Sequence, residues 1–154
     1  MVIRFDLIPF NSEAYREALG LREQVLRKPL DLTLNEGDMI NDSKEYHLGA
    51  FNQQRLVGCV SLCPISASVV KLRQMAVEPN YRGQGVGSQL LCYAEKIACN
   101  RNFKEIEMHA RYKVKGFYEK FGYHSEGESF MEVTIPHILM RKKLAHKTSK
   151  EKLF

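Results

Sequence analysis

A chain of 154 residues, 44% hydrophobic and 27% charged, has the size and balance of one globular domain with a proper apolar core. No apolar run approaches the ~20 residues that span a bilayer, and the opening MVIRFDLIPF lacks a secretory h-region, which points to a cytoplasmic protein with no membrane partner. The net charge of +5 is local: residues 141–154 hold Arg141, Lys142, Lys143, Lys147, Lys150 and Lys152 against Glu151, and the remainder balances. The body is therefore not the basic surface that tracks nucleic acid. The expected organisation is one domain over residues 1–142 and a basic, solvated tail over 143–154.

Residues 2–8 alternate, with Ile3, Phe5 and Leu7 on one face and Arg4 and Asp6 on the other, which predicts a strand. Asn11 or Ser12 can cap a helix with the stripe Tyr15, Ala18, Leu19, Arg22, Val25 and Leu26, ended by Pro29. Arg22 on that stripe reads as the buried partner of a carboxylate slightly better than as a group facing an acceptor pocket. The acidic segment DLTLNEGDMIND, 31–42, reads as a solvated loop with a short helical piece. Strands at about Tyr46–Asn52 and Leu56–Cys63 make a hairpin with a longer loop, and a third crosses Pro64–Ser68 towards Val77. Cys59, Cys63, Cys92 and Cys99 show neither metal-ligand spacing nor a disulfide-dense pattern, so they read as buried, reduced thiols and no metal is expected.

Pro79 and Asn80 break the strand that ends at Val77. The turn Arg82-Gly83-Gln84-Gly85-Val86-Gly87 then leads into a helix whose apolar face is Val86, Leu90, Ala94, Ile97 and Ala98. Glycines before a helix start let several N–H groups converge beside the positive end of the helix dipole, a seat for phosphate oxygens with Arg82 at its lip. A P-loop is excluded because Gly87 is followed by Ser88 and Gln89, not Lys and Ser/Thr. A dinucleotide fingerprint fits poorly, with Ser88 at its sixth place and Ala110 and Arg111 where an acidic residue belongs. A strand over Glu105–Ala110 should pair parallel with the strand before the turn. Val114, Phe117, Tyr118 and Phe121 mark a short helix stopped by Gly122, and strands near Phe130 and at Ile138–Lys142 close the chain.

The L-x-x-M-x-V strand, Glu78-Pro79 and RGQGVG together resemble the pyrophosphate-binding motif of the GNAT superfamily, the acyl-CoA-dependent N-acetyltransferases. GFYEKFGY resembles a second region of the same family, and FMEVTIPH resembles a segment of its small, uncharacterised bacterial branch. The resemblance covers about residues 45–142. It implies an α/β (α+β) fold: a mixed, mostly antiparallel sheet of about six to seven strands flanked by about four helices. It also implies acetyl-CoA, or another acyl-CoA, as co-substrate in a cleft between splayed strands. The pyrophosphate would sit on Arg82, Gly83, Gln84, Gly85, Val86, Gly87 and Ser88, and the pantetheine arm along Met75, Ala76 and Val77. Tyr118 would lie near the coenzyme sulfur and protonate the leaving thiolate. Arg111 departs from the asparagine common at its position.

Amide formation from a thioester needs a base for the acceptor ammonium, an acid for the thiolate and no covalent intermediate, so no cysteine need be a nucleophile. Some members place a glutamate on the fourth strand; here the stretch Val69–Val77 holds Lys71 and Arg73 and no carboxylate. Glu132 and His137 rank first as the base, followed by His109 and His47. The expected activity is N-acetylation of a primary amine on a small-molecule acceptor, with a homodimer left open. The alternative is a non-catalytic acyl-CoA-binding regulatory module.

Overall fold

The computed structural model describes residues 2–145. They divide into two compact units, one made of residues up to Cys63 together with Leu72–Ala94, the other of Pro64–Lys71 and residues from Glu95 onward. The described residues form seven strands that pair in the order β1-β2-β3-β4-β5-β7-β6, and four α-helices. The expected tail lies outside the described residues from 146 on. Lys143 still belongs to the last strand, and Leu144 is buried.

The first unit opens with β1 (Ile3–Ile8), antiparallel to β2 (Tyr46–Asn52). α1 (Glu13–Arg22) starts where the Ser12 side chain accepts from the Tyr15 N–H, and it buries Tyr15, Ala18, Leu21 and Arg22. Leu21 thus replaces Leu19 on the buried stripe. The helix does not run straight to Pro29: Glu23–Arg27 forms a π-helical stretch, which rotates Val25 and Leu26 to half-buried positions. α2 (Glu36–Met39) is the short helical piece expected in the acidic segment, closed by a reciprocal capping box between Asn35 and Asp38. β2 and β3 (Arg55–Pro64) join through Gln53-Gln54 alone, since Asn52 already pairs with Arg55; this tight turn replaces the expected longer loop. Ile8, Tyr15, Ala18, Leu21, Phe51, Leu56, Cys59 and Ala76 form a core cluster. α3 (Val86–Asn100) buries Val86, Leu90, Leu91, Ala94 and Ala98, with Leu91 in place of Ile97. Cys59 is buried as expected, whereas Cys92 is exposed and Cys63 and Cys99 are half-buried; none of the four is in a disulfide.

The second unit begins with the first residues of β4 (Val69–Val77), whose Val69, Val70 and Lys71 pair parallel with Glu105, Ile106 and Glu107 of β5 (Glu105–Arg111). The parallel pair expected from strand, helix and strand is present. α4 (Lys115–Glu119) ends at Gly122, whose φ of +89° lets Tyr123 N–H return to the Tyr118 carbonyl at 3.2 Å. β6 (His124–Glu132) and β7 (Ile135–Lys143) form an antiparallel hairpin, and β7 also pairs antiparallel with β5.

Candidate active site

In the first unit, Pro79–Tyr81 makes one 3-10 turn after β4, and the chain swings through Gly83 at φ +76° and Gly85 at φ +80° into α3. A Cβ at Gly83 would meet nothing within 4 Å, and one at Gly85 only Gln89 Nε2 at 3.7 Å and Ser88 Oγ at 3.8 Å. Both glycines are therefore required by backbone conformation, not by crowding. Gly87 lies inside the first turn of α3. The Gly85 carbonyl accepts from Gln89 N–H at 3.0 Å and from Ser88 Oγ at 3.1 Å, while the Gln84 side chain donates to Asn80 O at 3.1 Å. The N–H groups of Gly83 to Ser88 are left without a backbone acceptor among the described residues, and Arg82 is exposed beside them. That is an anion seat.

β4 leads to this turn through Met75, Ala76 and Val77, and Glu78 N–H bonds Val57 O of β3 at 2.9 Å. Gln74 interrupts the strand with φ +58°, a positive-φ kink that apolar alternation does not reveal. Its side chain donates to Asp38 O at 3.1 Å, and its Oε1 is buried without a partner.

Beneath the kink the acidic segment proves to be structural. Arg22, 2% exposed, donates to Asp42 Oδ2 at 2.8 Å and to Asp38 O at 3.0 Å. Tyr15 Oη donates to the same Asp42 oxygen, and His47 Nε2 lies 2.7 Å from Asp42 O. Burial pushes the Asp42 carboxyl up, but the bonds from Arg22 and Tyr15 outweigh it and hold it below the usual carboxylate range. Arg27 pairs with Asp38 at 2.8 Å. Arg22 is thus the buried carboxylate partner anticipated, and Asp42 is buried instead of solvated. His47 has its other nitrogen 3.1 Å from Ser61 Oγ, so both ring nitrogens are engaged and it drops out as a base. Glu45 places a carboxylate beside β4: its side chain is fully buried, both oxygens lie 3.1 Å from Arg73 Nη1, and burial raises its pKa. Only folding reveals it, because Glu45 precedes a strand remote in sequence from Arg73.

In the second unit Tyr118 is 7% exposed, packed against Phe117 and Tyr123. Burial pushes its phenol up to about 12, against an opposing pull from the Arg111 charge. Glu132, His137 and His109 meet: Glu132 Oε1 is 2.8 Å from His109 Nδ1, and Oε2 is 3.8 Å from His137 Nε2. His137 sits within β7 and is buried. The hairpin after Glu132 turns through Val133 at φ +50° and Thr134 at φ +66°, β-branched residues in the left-handed region at a cost of about 1–3 kcal/mol each.

Residues 23–144 match the family model described as an acetyltransferase (GNAT) domain. The chain belongs to the GNAT acetyltransferase family. It is 37% identical over 148 residues to the uncharacterized N-acetyltransferase YitI of Bacillus subtilis, covering 90% of this chain and 97% of that one. A solved N-acetyltransferase candidate from Lactobacillus plantarum matches at 25% identity and TM-score 0.83, over 94% of this chain and all of that one. A GNAT family acetyltransferase from Elizabethkingia anophelis, solved with acetyl-CoA bound, shares the fold at TM-score 0.72 and 19% identity, covering 92% of this chain and 98% of that one. The GNAT fold expected from the glycine turn is thus the observed one, and the chain is an acyl-CoA-dependent acetyltransferase with acetyl-CoA as co-substrate. The open N–H groups from Gly83 to Ser88 and the Arg82 charge fit its pyrophosphate. Among the described residues no helix is long and apolar enough to cross a membrane.

Proposed function

We propose that this cytoplasmic enzyme moves the acetyl group directly to a primary amine of a small-molecule acceptor. The observation that carries the reading is the set of proton-handling groups in the second unit. Tyr118 is a buried phenol held protonated, and Glu132 joins two imidazoles. Acetyl-CoA supplies an acyl group activated as a thioester. Backbone N–H groups from Gly83 to Ser88, with Arg82, hold its pyrophosphate, and the Met75-Ala76-Val77 segment orients the pantetheine arm. Glu132 and His137 belong to the group that takes the acceptor's proton, without which an ammonium has no lone pair to attack with. Tyr118 delivers a proton to the departing sulfur. A phenol raised to about 12 retains that proton through the neutral range.

Release of coenzyme A should be followed across polyamines, amino sugars, amino acids, aminoglycosides and peptides, with acetyl-CoA binding measured by calorimetry alongside. Release confined to one class of amine is expected. Tight binding without release by any amine would favour a non-catalytic acyl-CoA sensor, and absence of binding would contradict the seat.

A further inference from the structure

Five side chains of the second unit, Glu132 among them, gather in one place. The β6–β7 register sets Phe130 opposite His137 and Glu132 opposite Ile135, and the β5–β7 register sets His109 opposite Leu139. Paired residues and those two apart share a face, so His109, His137, Phe130 and Glu132 lie on the same side. Phe130 meets the His109 ring edge-on at 5.0 Å and lies nearly parallel to His137 at 6.3 Å, so one ring touches both imidazoles. Lys71 Nζ reaches to 3.5 Å from His109 Nδ1.

We propose that His109 Nε2 is the base that takes the acceptor's proton, with Glu132 as the positioning residue that sets its tautomer. The inference rests on the acetyl-transfer reading above. An ionised carboxylate only accepts hydrogen bonds, so the 2.8 Å contact with Glu132 places the hydrogen on His109 Nδ1. The lone pair is then on Nε2, which has no partner among the described residues, on a side chain 30% exposed. The distances on Nδ1 decide between its two neighbours. Lys71 Nζ, which can only donate, competes with Glu132 for Nδ1, but at 3.5 Å its contact is far weaker than the 2.8 Å one to Glu132; Glu107 and Arg111 flank His109 on β5 itself.

The other candidates are occupied. His137 Nδ1 is bonded to Ile135 O at 2.9 Å, its side chain is 6% exposed, and its Nε2 faces Glu132. Glu45 is fully buried with both oxygens on Arg73. In the step itself, one N–H bond of the acceptor ammonium breaks, its electron pair stays on nitrogen and the proton passes to Nε2. The resulting imidazolium lies against Glu132 and returns the proton to solvent from its exposed side. A base held by a third group in this way is a recurrent catalytic arrangement.

Two measurements on the full chain test the assignment. Long-range proton–nitrogen NMR of histidine-labelled protein without substrate should show His109 as the Nδ1–H tautomer, shifting towards Nε2–H in Glu132→Gln and restored in Glu132→Asp. An Nε2–H tautomer in the unmutated protein overturns the proposal. Acetyl transfer should then be compared between benzylamine, protonated near neutral pH, and 2,2,2-trifluoroethylamine, already neutral there. His109→Gln should lose roughly 100-fold or more in kcat with the first and little with the second. Equal loss with both amines, or a selective loss in Glu45→Gln instead, overturns the proposal. No transfer to either amine by the unmutated protein would count against acetyl transfer itself, and the tautomer result separates that failure from this one.

Discussion

Replacing Gly85 by alanine isolates what the coenzyme seat demands of the backbone. Gly85 sits at φ +80°, and an added Cβ has open room, its nearest neighbours being ordinary contacts at 3.7 and 3.8 Å. The penalty is therefore conformational, about 1–2 kcal/mol for an L-residue in the left-handed region. If the loop keeps its shape, that amount appears as lost stability; if it relaxes, the N–H groups lose their common aim and it appears as lost affinity. A full 1.4 kcal/mol in the second form is about tenfold in Kd. Urea unfolding and acetyl-CoA calorimetry on the same variant should together recover about 1–2 kcal/mol. Gly20→Ala is the control, since Gly20 lies inside α1 with nothing within 4 Å of a Cβ and no positive φ. It should be stabilising, by about 1 kcal/mol. Gly85→Ala leaving both stability and affinity unchanged would refute the conformational reasoning.

Other substitutions probe the buried network and the acid. Arg22→Met should destabilise by about 3–5 kcal/mol, because it leaves Asp42 charged and buried, while Arg22→Met with Asp42→Leu should recover most of that in a double-mutant cycle. Arginine hydrogen bonds hold Asp38 and Asp42 below the usual range, so their stabilisation is complete above the unfolded carboxylate value of about 4 and is lost as pH falls through the folded ones. Glu45, raised by burial, has the opposite sign: its ionisation costs stability as pH rises through its folded value. Urea midpoints followed into acid should fall steeply at the low end, and Asp38→Asn should flatten that limb; an unchanged limb would refute the linkage. Tyr118→Phe should lower kcat on the order of 100-fold with acetyl-CoA affinity nearly intact; loss of affinity alone would make Tyr118 a packing residue.

Elements with strong local signals were legible in the sequence. The alternation of β1, the glycine turn with the apolar face of α3, and Gly122 closing α4 each rest on residues adjacent in the chain. Positive-φ sites without glycine were not: Gln74, Val133 and Thr134 hold conformations that only tertiary packing maintains. The strand near Phe130 had no legible bounds, because the stretch from His124 to Ser129 is polar and largely exposed, with an irregularity around Gly127 where alternation fails. The acidic segment looked like a solvated loop because its partners, Arg22 and Arg27, sit on the preceding helical turns and the pairing depends on how the chain returns. Glu132 and His137 were singled out from their place near the last strand, whereas the contact between Glu132 and His109 depends on the β5–β7–β6 strand order.

The most direct test of amine acetylation follows the label itself. Acetyl-CoA carrying carbon-13 in its carbonyl would be incubated with the protein and the amine that best releases coenzyme A, and the carbonyl signal followed by NMR. Growth of an amide carbonyl matched to the loss of thioester is the expected result. Free acetate in its place, or a thioester that persists, would contradict direct transfer to an amine.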